Sequence, residues 1–354
     1  MSNGIDINGK TIIGDECDPY LIAEIGTNHN QDINIARDLI KAVAEAGFDC
    51  AKFQTYEPDE IVSGIVRASD YGLDKYYGDI SASEMFDKHL KTPKEWFPEL
   101  IELCKQFDID CATTIHGAHG LSWARNMNFD LIKVASMDHN NLPFLRSLVD
   151  SINAPILISF GMADLPDVDA AVETLRSHRF GVGLFHCVSV YPPRSEELRL
   201  ANIPFFKKRF AVPVGFSDHA DDVTTSLAAL SLGSSMFEKH VTLDKNAHGP
   251  DHPFALEPEE MKSYVNGIRI LAKGLASGDY QIPKRSEAKI RHAYLKSVVT
   301  ACDIPAGSKL TALDLVLLRP GTGIPPKDIE KVIGCTTIRA LNKGSVLTWD
   351  DLVF

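Results

Sequence analysis

Short runs of apolar and β-branched residues recur along the chain, separated by longer segments in which apolar residues return every three or four positions. The first kind reads as buried strands and the second as helices with one packed face. YLIAEIG (20–26) leads into NIARDLIKAVAEAG, and CAKFQT (50–55) follows. After an irregular stretch and the helical KEWFPELIELCKQF come DIDCATTI (108–115), LIKVAS (131–136), PILISF (155–160) and VGLFHCVS (182–189). VPVGFSDH (212–219) and SMFEKHVT (235–242) complete eight strands, with helical patterns such as DVDAAVETLRSH and EEMKSYVNGIRILAKGL behind several of them. That alternation predicts an α/β chain whose eight parallel strands close into a (β/α)8 TIM barrel. An open doubly wound sheet would need a glycine-rich GxGxxG turn after its first strand, and EIGTNHNQ is not one.

Beyond Leu275 the texture changes. SGDYQIPKRSEAKIRHAYLKS reads as a linker with a short helix. VVTACDIPAGSKL, DLVLLRPGTGIPPKDI, VIGCTTIRAL and KGSVL are short strands punctuated by Gly and Pro. The expected division is a barrel over 1–276, a linker over 277–296 and a small β-rich domain over 297–354. So few apolar residues favour docking of that domain on the barrel or on a partner subunit.

Composition narrows the function classes. Hydrophobic residues make up 44% and charged residues 24% of the 354, as in ordinary globular proteins. No apolar run approaches the ~20 residues that span a bilayer, and no membrane partner is expected. The start, MSNGIDINGKTIIGDE, lacks the basic-then-apolar order of a secretory signal. Seven scattered cysteines without a CxxC pair argue for reduced thiols in the cytoplasm, not for a zinc ribbon or a disulfide scaffold. A net charge of −12 with no basic stripe speaks against nucleic acid. An anionic substrate would need cations gathered locally.

Polar residues gather at the C-terminal ends of the strands, where barrel enzymes carry their active sites. They are Glu24; Lys52 and Gln54; Thr113 and Thr114; Lys133 and Ser136; Ser159; His186 and Ser189; Ser217 and His219; and Glu238 and His240. Any one of them could cap a helix or snorkel outward, but every strand contributes. Lys52 and Lys133 are the most informative, since an ammonium inside a barrel needs an anion to offset its desolvation. Glu24 could serve one of them as a structural partner. The alternative is an anionic substrate, for which the neighbouring hydroxyls would complete a pocket for phosphate and carboxylate oxygens.

GFSDH stops at His219 and FEKH at His240. Period-two alternation puts Ser217 with His219, and Glu238 with His240, on one face, and turns Asp218 and Lys239 the other way as structural residues. Strands seven and eight are neighbours in a barrel, so both imidazoles can reach one divalent ion. Two protein ligands leave positions open, as a Lewis-acid site requires.

With these residues assembled, the chain resembles the N-acetylneuraminate (sialic acid) synthase family. The motifs AEIGTNHNQ, AKFQT, IKVAS, ILISFGM, HCVSVYP, GFSDH, EKHVTLD and GPDHPFALEP run in order from end to end. The tail around LLRPGTGI is similar to the antifreeze-like (SAF) domain that follows the barrel in that family. The resemblance implies condensation of phosphoenolpyruvate (PEP) with an N-acetylated hexosamine such as N-acetylmannosamine, or a related amino sugar. The products would be a nine-carbon 2-keto acid and phosphate.

By that resemblance Lys52, Thr114, Lys133, Ser136, Ser159, Ser189 and Ser217 hold PEP, and the rim residues Gln54 and Thr113 are assigned to the same pocket. His219 and His240 fall at the ligands of a divalent metal, with manganese expected first and magnesium or cobalt as alternatives. Glu24, Tyr191 and Asp251 match residues that face the sugar, and Glu24 also suits proton transfer. The implied catalytic set is Glu24, Lys52, Lys133, His219 and His240. Arg319 matches an arginine carried into the partner subunit's site, as in a domain-swapped homodimer.

The chain also departs from the pattern. It has ATTIHG where STP is common, Met137-Asp138 after Ser136 where GE or GD is common, and Ser189 in place of asparagine. Asp138 is expected to reach the sugar as a shorter carboxylate. The departures leave the PEP side largely intact and the sugar open, since legionaminic, pseudaminic and sialic acid synthases and spore-coat polysaccharide proteins share these motifs. Two rival readings are another PEP-dependent 3-deoxy-aldulosonate synthase and an inactive sugar-binding barrel.

Overall fold

In the computed structural model, which describes residues 4–15, 17–275 and 285–354, an antiparallel hairpin precedes eight parallel strands that close on themselves. The hairpin is β1 (Ile5–Ile7) and β2 (Lys10–Ile13). The barrel strands are β3 (Tyr20–Gly26), β4 (Cys50–Thr55), β5 (Asp110–Ile115) and β6 (Leu131–Val134). They continue as β7 (Ile156–Phe160), β8 (Val182–Cys187), β9 (Val214–Asp218) and β10 (Met236–His240). The strands run in sequence order around the barrel, and β10 pairs back onto β3 with His240 opposite Glu24. All eight predicted segments are strands.

A helix follows each of these strands, the first over Ile33–Ala46 and the last over Pro258–Gly274. The first shows why the sequence turns helical there. Asp32 caps it by accepting from the Asn34 N–H at 2.8 Å, Leu39, Ile40 and Val43 fill its buried face, and Gly47 ends it at φ 89°. Inside the barrel the lower layers are apolar. The hairpin, which sequence reasoning did not anticipate, brings Ile5, Ile7 and Ile13 into one cluster with Tyr20, Ile22, Leu131, Leu157, Phe185 and Met236. Side chains thus plug the N-terminal end and leave the polar end open for chemistry.

Acidic residues accompany that plug. Asp49 and Asp130 accept the backbone N–H groups of Leu21 and Cys111 at 2.6 and 2.9 Å, and Asp110 accepts the Tyr20 hydroxyl at 2.5 Å. Burial, reinforced by the neighbouring carboxylates Asp130 and Asp49, pushes the Asp110 pKa up to about 6. A carboxyl raised in the folded state costs nothing below its unfolded pKa, and its penalty grows as pH rises through the folded value. Asp110→Asn, which keeps an acceptor for Tyr20, should therefore stabilise the protein by about 1–2 kcal/mol at pH 7.5, the shift being discounted for partial exposure. The gain should vanish near pH 4. Chemical denaturation at both pH values checks this, and a variant equally destabilised at both would contradict it.

Contacts divide the chain into two compact units, Met1–Ala276 and Ser277–Phe354. Of the expected linker, residues 277–284 lie outside the described residues, and Arg285–Tyr294 is a helix. The second unit pairs β11 (Ser297–Thr300) with β12 (Leu315–Leu318) and β13 (Thr336–Thr337) with β14 (Leu352–Val353). It has its own apolar cluster, including Val298, Leu310, Leu315, Ile324, Val332 and Leu347. Among the described residues no helix is long and apolar enough to cross a membrane.

Candidate active site

Both lysines that face the barrel interior, Lys52 and Lys133, have carboxylate partners inside the chain. Lys52 Nζ lies 2.6 Å from Glu24 Oε2 and 3.7 Å from Glu238 Oε2, and donates to Thr114 Oγ1 at 3.0 Å. Lys133 donates to both Glu238 oxygens, at 3.2 and 3.0 Å, and sits 5.0 Å from the centre of the Phe185 ring. Ser217 adds a hydrogen bond to Glu238 Oε1 at 3.0 Å, and Gln54 donates to Glu24 Oε1 at 2.6 Å. Every member of this network except Gln54 is buried.

Burial opposes the Lys52 charge, but Glu238 and Glu24 outweigh it and hold its pKa above the ordinary value. Burial would also raise Glu238, yet Lys133 and Lys52 hold its carboxyl well below the usual range. At Lys133 burial wins and lowers the pKa, and at Glu24 burial raises it against the pull of Lys52. The structural partnership foreseen for Glu24 is therefore real, and Glu238 is the second carboxylate.

Hydroxyls stand around these charges. Ser136 Oγ accepts the Gly161 N–H at 2.9 Å, while the buried Ser159 Oγ has no partner. Glycine at 161 lets two hydroxyls close in, since a Cβ there would lie 2.1 Å from Ser189 Oγ and 2.9 Å from Ser136 Oγ. Ser136, Ser159 and Ser189 thus crowd one corner of the rim.

The two histidines meet as alternation predicts, with ring centres 5.5 Å apart. The His219 Nδ1–H donates to the Val188 carbonyl at 2.9 Å, so Nε2 is the nitrogen through which the neutral ring could bind an ion. Burial, with His219 close by, lowers the His240 pKa well below normal and keeps that imidazole neutral. His240 Nδ1 has no hydrogen-bond partner, and Asp251 Oδ2 lies 3.6 Å from it. Two buried imidazoles with free nitrogens fit a divalent ion. No group of three or more His, Cys, Asp or Glu placed to hold a metal occurs among the described residues. Tyr191, about half exposed, covers His219 with ring centres 4.1 Å apart, and Thr27 donates to Asp251 at 3.3 Å.

Two of the rim residues, Thr113 and His186, face away from the site. Thr113 points out of the barrel and donates to Thr55 Oγ1 at 3.2 Å, so of the two adjacent threonines only Thr114 faces the site. His186 also faces outward, donating to the Leu198 carbonyl at 2.6 Å and stacking on Phe216, and Cys187 takes the inner position instead. Asp138 is bound by His116 Nδ1 at 2.5 Å. Arg319 lies in the second unit, 4.8 Å over the Tyr294 ring. Asp218 is structural as read, accepting from Thr225 and Ser226 at 2.7 and 2.6 Å, with Lys239 at 3.6 Å.

Sequence reasoning missed Asn28, Tyr56, His116 and Cys187. Period two, counted on from Gln54, Thr114 and Phe185, would have found the last three. Of the buried side-chain atoms left without a hydrogen-bond partner, Asn28 Oδ1, Tyr56 Oη, Ser159 Oγ and His240 Nδ1 belong to this end of the barrel, while Glu24 Oε2 has its ion pair with Lys52. A cleft of about 550 Å³ at the opposite end, beside Asp110 and Asp130, holds no such atom.

A parallel barrel with buried lysines, hydroxyls and paired imidazoles at its C-terminal rim has the arrangement of a barrel enzyme's active site. Residues 39–280 match the NeuB family and residues 296–353 the SAF domain, and the chain belongs to that family of synthases. It is 32% identical to the N,N'-diacetyllegionaminic acid synthase of Legionella pneumophila, with 99% of each chain covered. The crystal structure of an N-acetylneuraminic acid synthetase from Leptospira borgpetersenii superposes with a TM-score of 0.71 at 26% identity, covering 82% of this chain and 96% of that one. The spore coat polysaccharide biosynthesis protein SpsE of Bacillus subtilis matches over 99% of both chains, with a TM-score of 0.65 and 29% identity.

Proposed function

We propose that this enzyme condenses PEP with the aldehyde of an open-chain N-acetylated amino sugar, giving a nonulosonic acid and phosphate. The observation that carries this reading is the gathering of unpartnered buried polar atoms around two buried ammonium groups at the rim. Such groups are costly unless a ligand completes them. Lys52 and Lys133, with the hydroxyls of Thr114, Ser136, Ser159, Ser189 and Ser217, hold the PEP anion. Thr113 takes no part, and Gln54 acts by orienting Glu24. Glu24, Tyr191, Asp251 and Asp138 face the sugar.

In the reaction the methylene carbon of PEP forms a bond to the aldehyde carbon. The aldehyde oxygen takes up a proton, which Glu24, its pKa raised by burial, is suited to deliver. Water then adds at the former enol carbon, and the tetrahedral centre expels phosphate to leave the 2-keto acid. The ammonium groups and hydroxyls stabilise phosphate as it departs. His219 and His240 hold a divalent ion, with manganese, magnesium and cobalt as candidates, and when bound it supplies Lewis acidity toward the aldehyde.

The test is phosphate release from PEP across a panel of 2-acetamido aldoses. At least one sugar should trigger release and PEP alone should not. Silence across the panel would contradict the reading.

The same reading makes the enzyme a domain-swapped homodimer in which Arg319 reaches the N-acetyl group bound in the other subunit. A guanidinium can offer two parallel N–H groups to that carbonyl, which lysine cannot match. Mixing Arg319→Ala subunits with Lys52→Met subunits should restore activity, because one site of each mixed dimer is intact. Demonstrated subunit exchange without recovery would rule out action across the interface.

A further inference from the structure

Tyr56, His116 and Asp138 each stand two positions beyond a residue of the site, namely Gln54, Thr114 and Ser136. Together they form the next layer outward on the β4–β6 side of the rim. Glu60 ties the segments that carry Tyr56 and His116. It accepts the N–H groups of His119 and Gly120 at 2.8 and 3.3 Å, and Gly117, at φ +62°, has no room for a Cβ against it. The Tyr56 and His116 rings meet edge to face at 5.8 Å. The Nδ1–H of His116 donates to Asp138 Oδ2 at 2.5 Å, which leaves Oδ1 as an open acceptor. Tyr56 is 2% exposed and its hydroxyl has no partner. Two of the three places where the sequence departs from its family pattern, ATTIHG and Met137-Asp138, therefore meet in one contact.

Charge decides what this layer accepts. A phosphoryl group would face the Asp138 carboxylate. Lys75 lies over the Tyr76 ring, and residues 116–119 and 135–141 contain no lysine or arginine. A desolvated dianion there would find no compensating charge on these segments. A neutral hydroxyl or acetamido group can satisfy both Tyr56 Oη and Asp138 Oδ1.

We infer that Tyr56, His116 and Asp138 form one wall of the acceptor subsite and restrict it to an unphosphorylated amino sugar with a hydroxyl or acetamido group at that end. This rests on the PEP–sugar condensation proposed above. Tyr56 and Asp138 touch the sugar, and His116 is a positioning residue that holds Asp138.

The test uses the full-length enzyme with Mn²⁺ and matched pairs of 2-acetamido aldoses, each as free sugar and as its terminal phosphate ester. N-acetylmannosamine and its 6-phosphate are the first pair. The free sugars should be preferred by about 100-fold or more in kcat/KM. Tyr56→Phe and His116→Phe should each raise the acceptor KM about tenfold and leave the PEP KM within about twofold. His116→Asn, whose amide N–H can still donate to Asp138, should recover most of the loss. Tyr56→Phe removes only an unpartnered oxygen, so its fold should hold, and thermal unfolding confirms that. Equal or better use of the phosphate esters, or variants that shift the PEP KM instead, would overturn the inference. If wild-type enzyme releases phosphate with no sugar of either kind, the proposed function itself fails and the inference falls with it.

Discussion

Lys133→Met should abolish PEP binding and lower turnover by about 10³-fold or more, since the lost charge serves both the bound anion and the departing phosphate. It should also destabilise the fold, because Glu238 would keep only Ser217 and the more distant Lys52. Removing one partner of a buried pair costs on the order of 3–5 kcal/mol. That loss alone would not separate a structural lysine from a substrate-binding one. The double variant Lys133→Met/Glu238→Gln removes the orphaned charge and should recover most of the stability. PEP binding, followed by titration calorimetry, should stay absent. A double variant that binds PEP like the wild type would show that Lys133 exists only to neutralise Glu238.

Removal of the metal should have an equally large effect. Dialysis against a chelator should stop phosphate release completely, and Mn²⁺ should restore it. A readout besides activity is available, because an ion that binds only the folded state stabilises it by about 2.7 kcal/mol at 100 times its dissociation constant. Wild-type enzyme should therefore melt higher with Mn²⁺, and His240→Ala should lose that response. The variant should remain folded in the absence of metal, since His240 sits at the rim and its Nδ1 makes no hydrogen bond in the protein. Full activity in excess chelator, or an undiminished Mn²⁺ shift in His240→Ala, would remove the imidazole pair from the reaction.

Alternation along a strand was legible from residue types. It placed all eight strands and set Ser217 with His219 and Glu238 with His240, because a buried parallel strand has apolar runs and a strict two-residue period. The same rule, carried through β5 and β8, separates Thr114 from Thr113 and Cys187 from His186, so those two misplacements were avoidable.

What the sequence could not reveal was which charges meet. Lys133 on β6 and Glu238 on β10 stand directly across the eight-strand ring, 105 positions apart in the chain, and only closure of the barrel brings them to 3.0 Å. The His116–Asp138 contact joins two loops whose motifs look like independent departures until the strands beneath them pair. The plug formed by the N-terminal hairpin is of the same kind, since Ile5, Ile7 and Ile13 become core only against the lower end of a closed barrel. Periodicity records which face of an element is buried, a local property. Partnership across the barrel depends on ring closure and strand register, which no single segment of sequence contains.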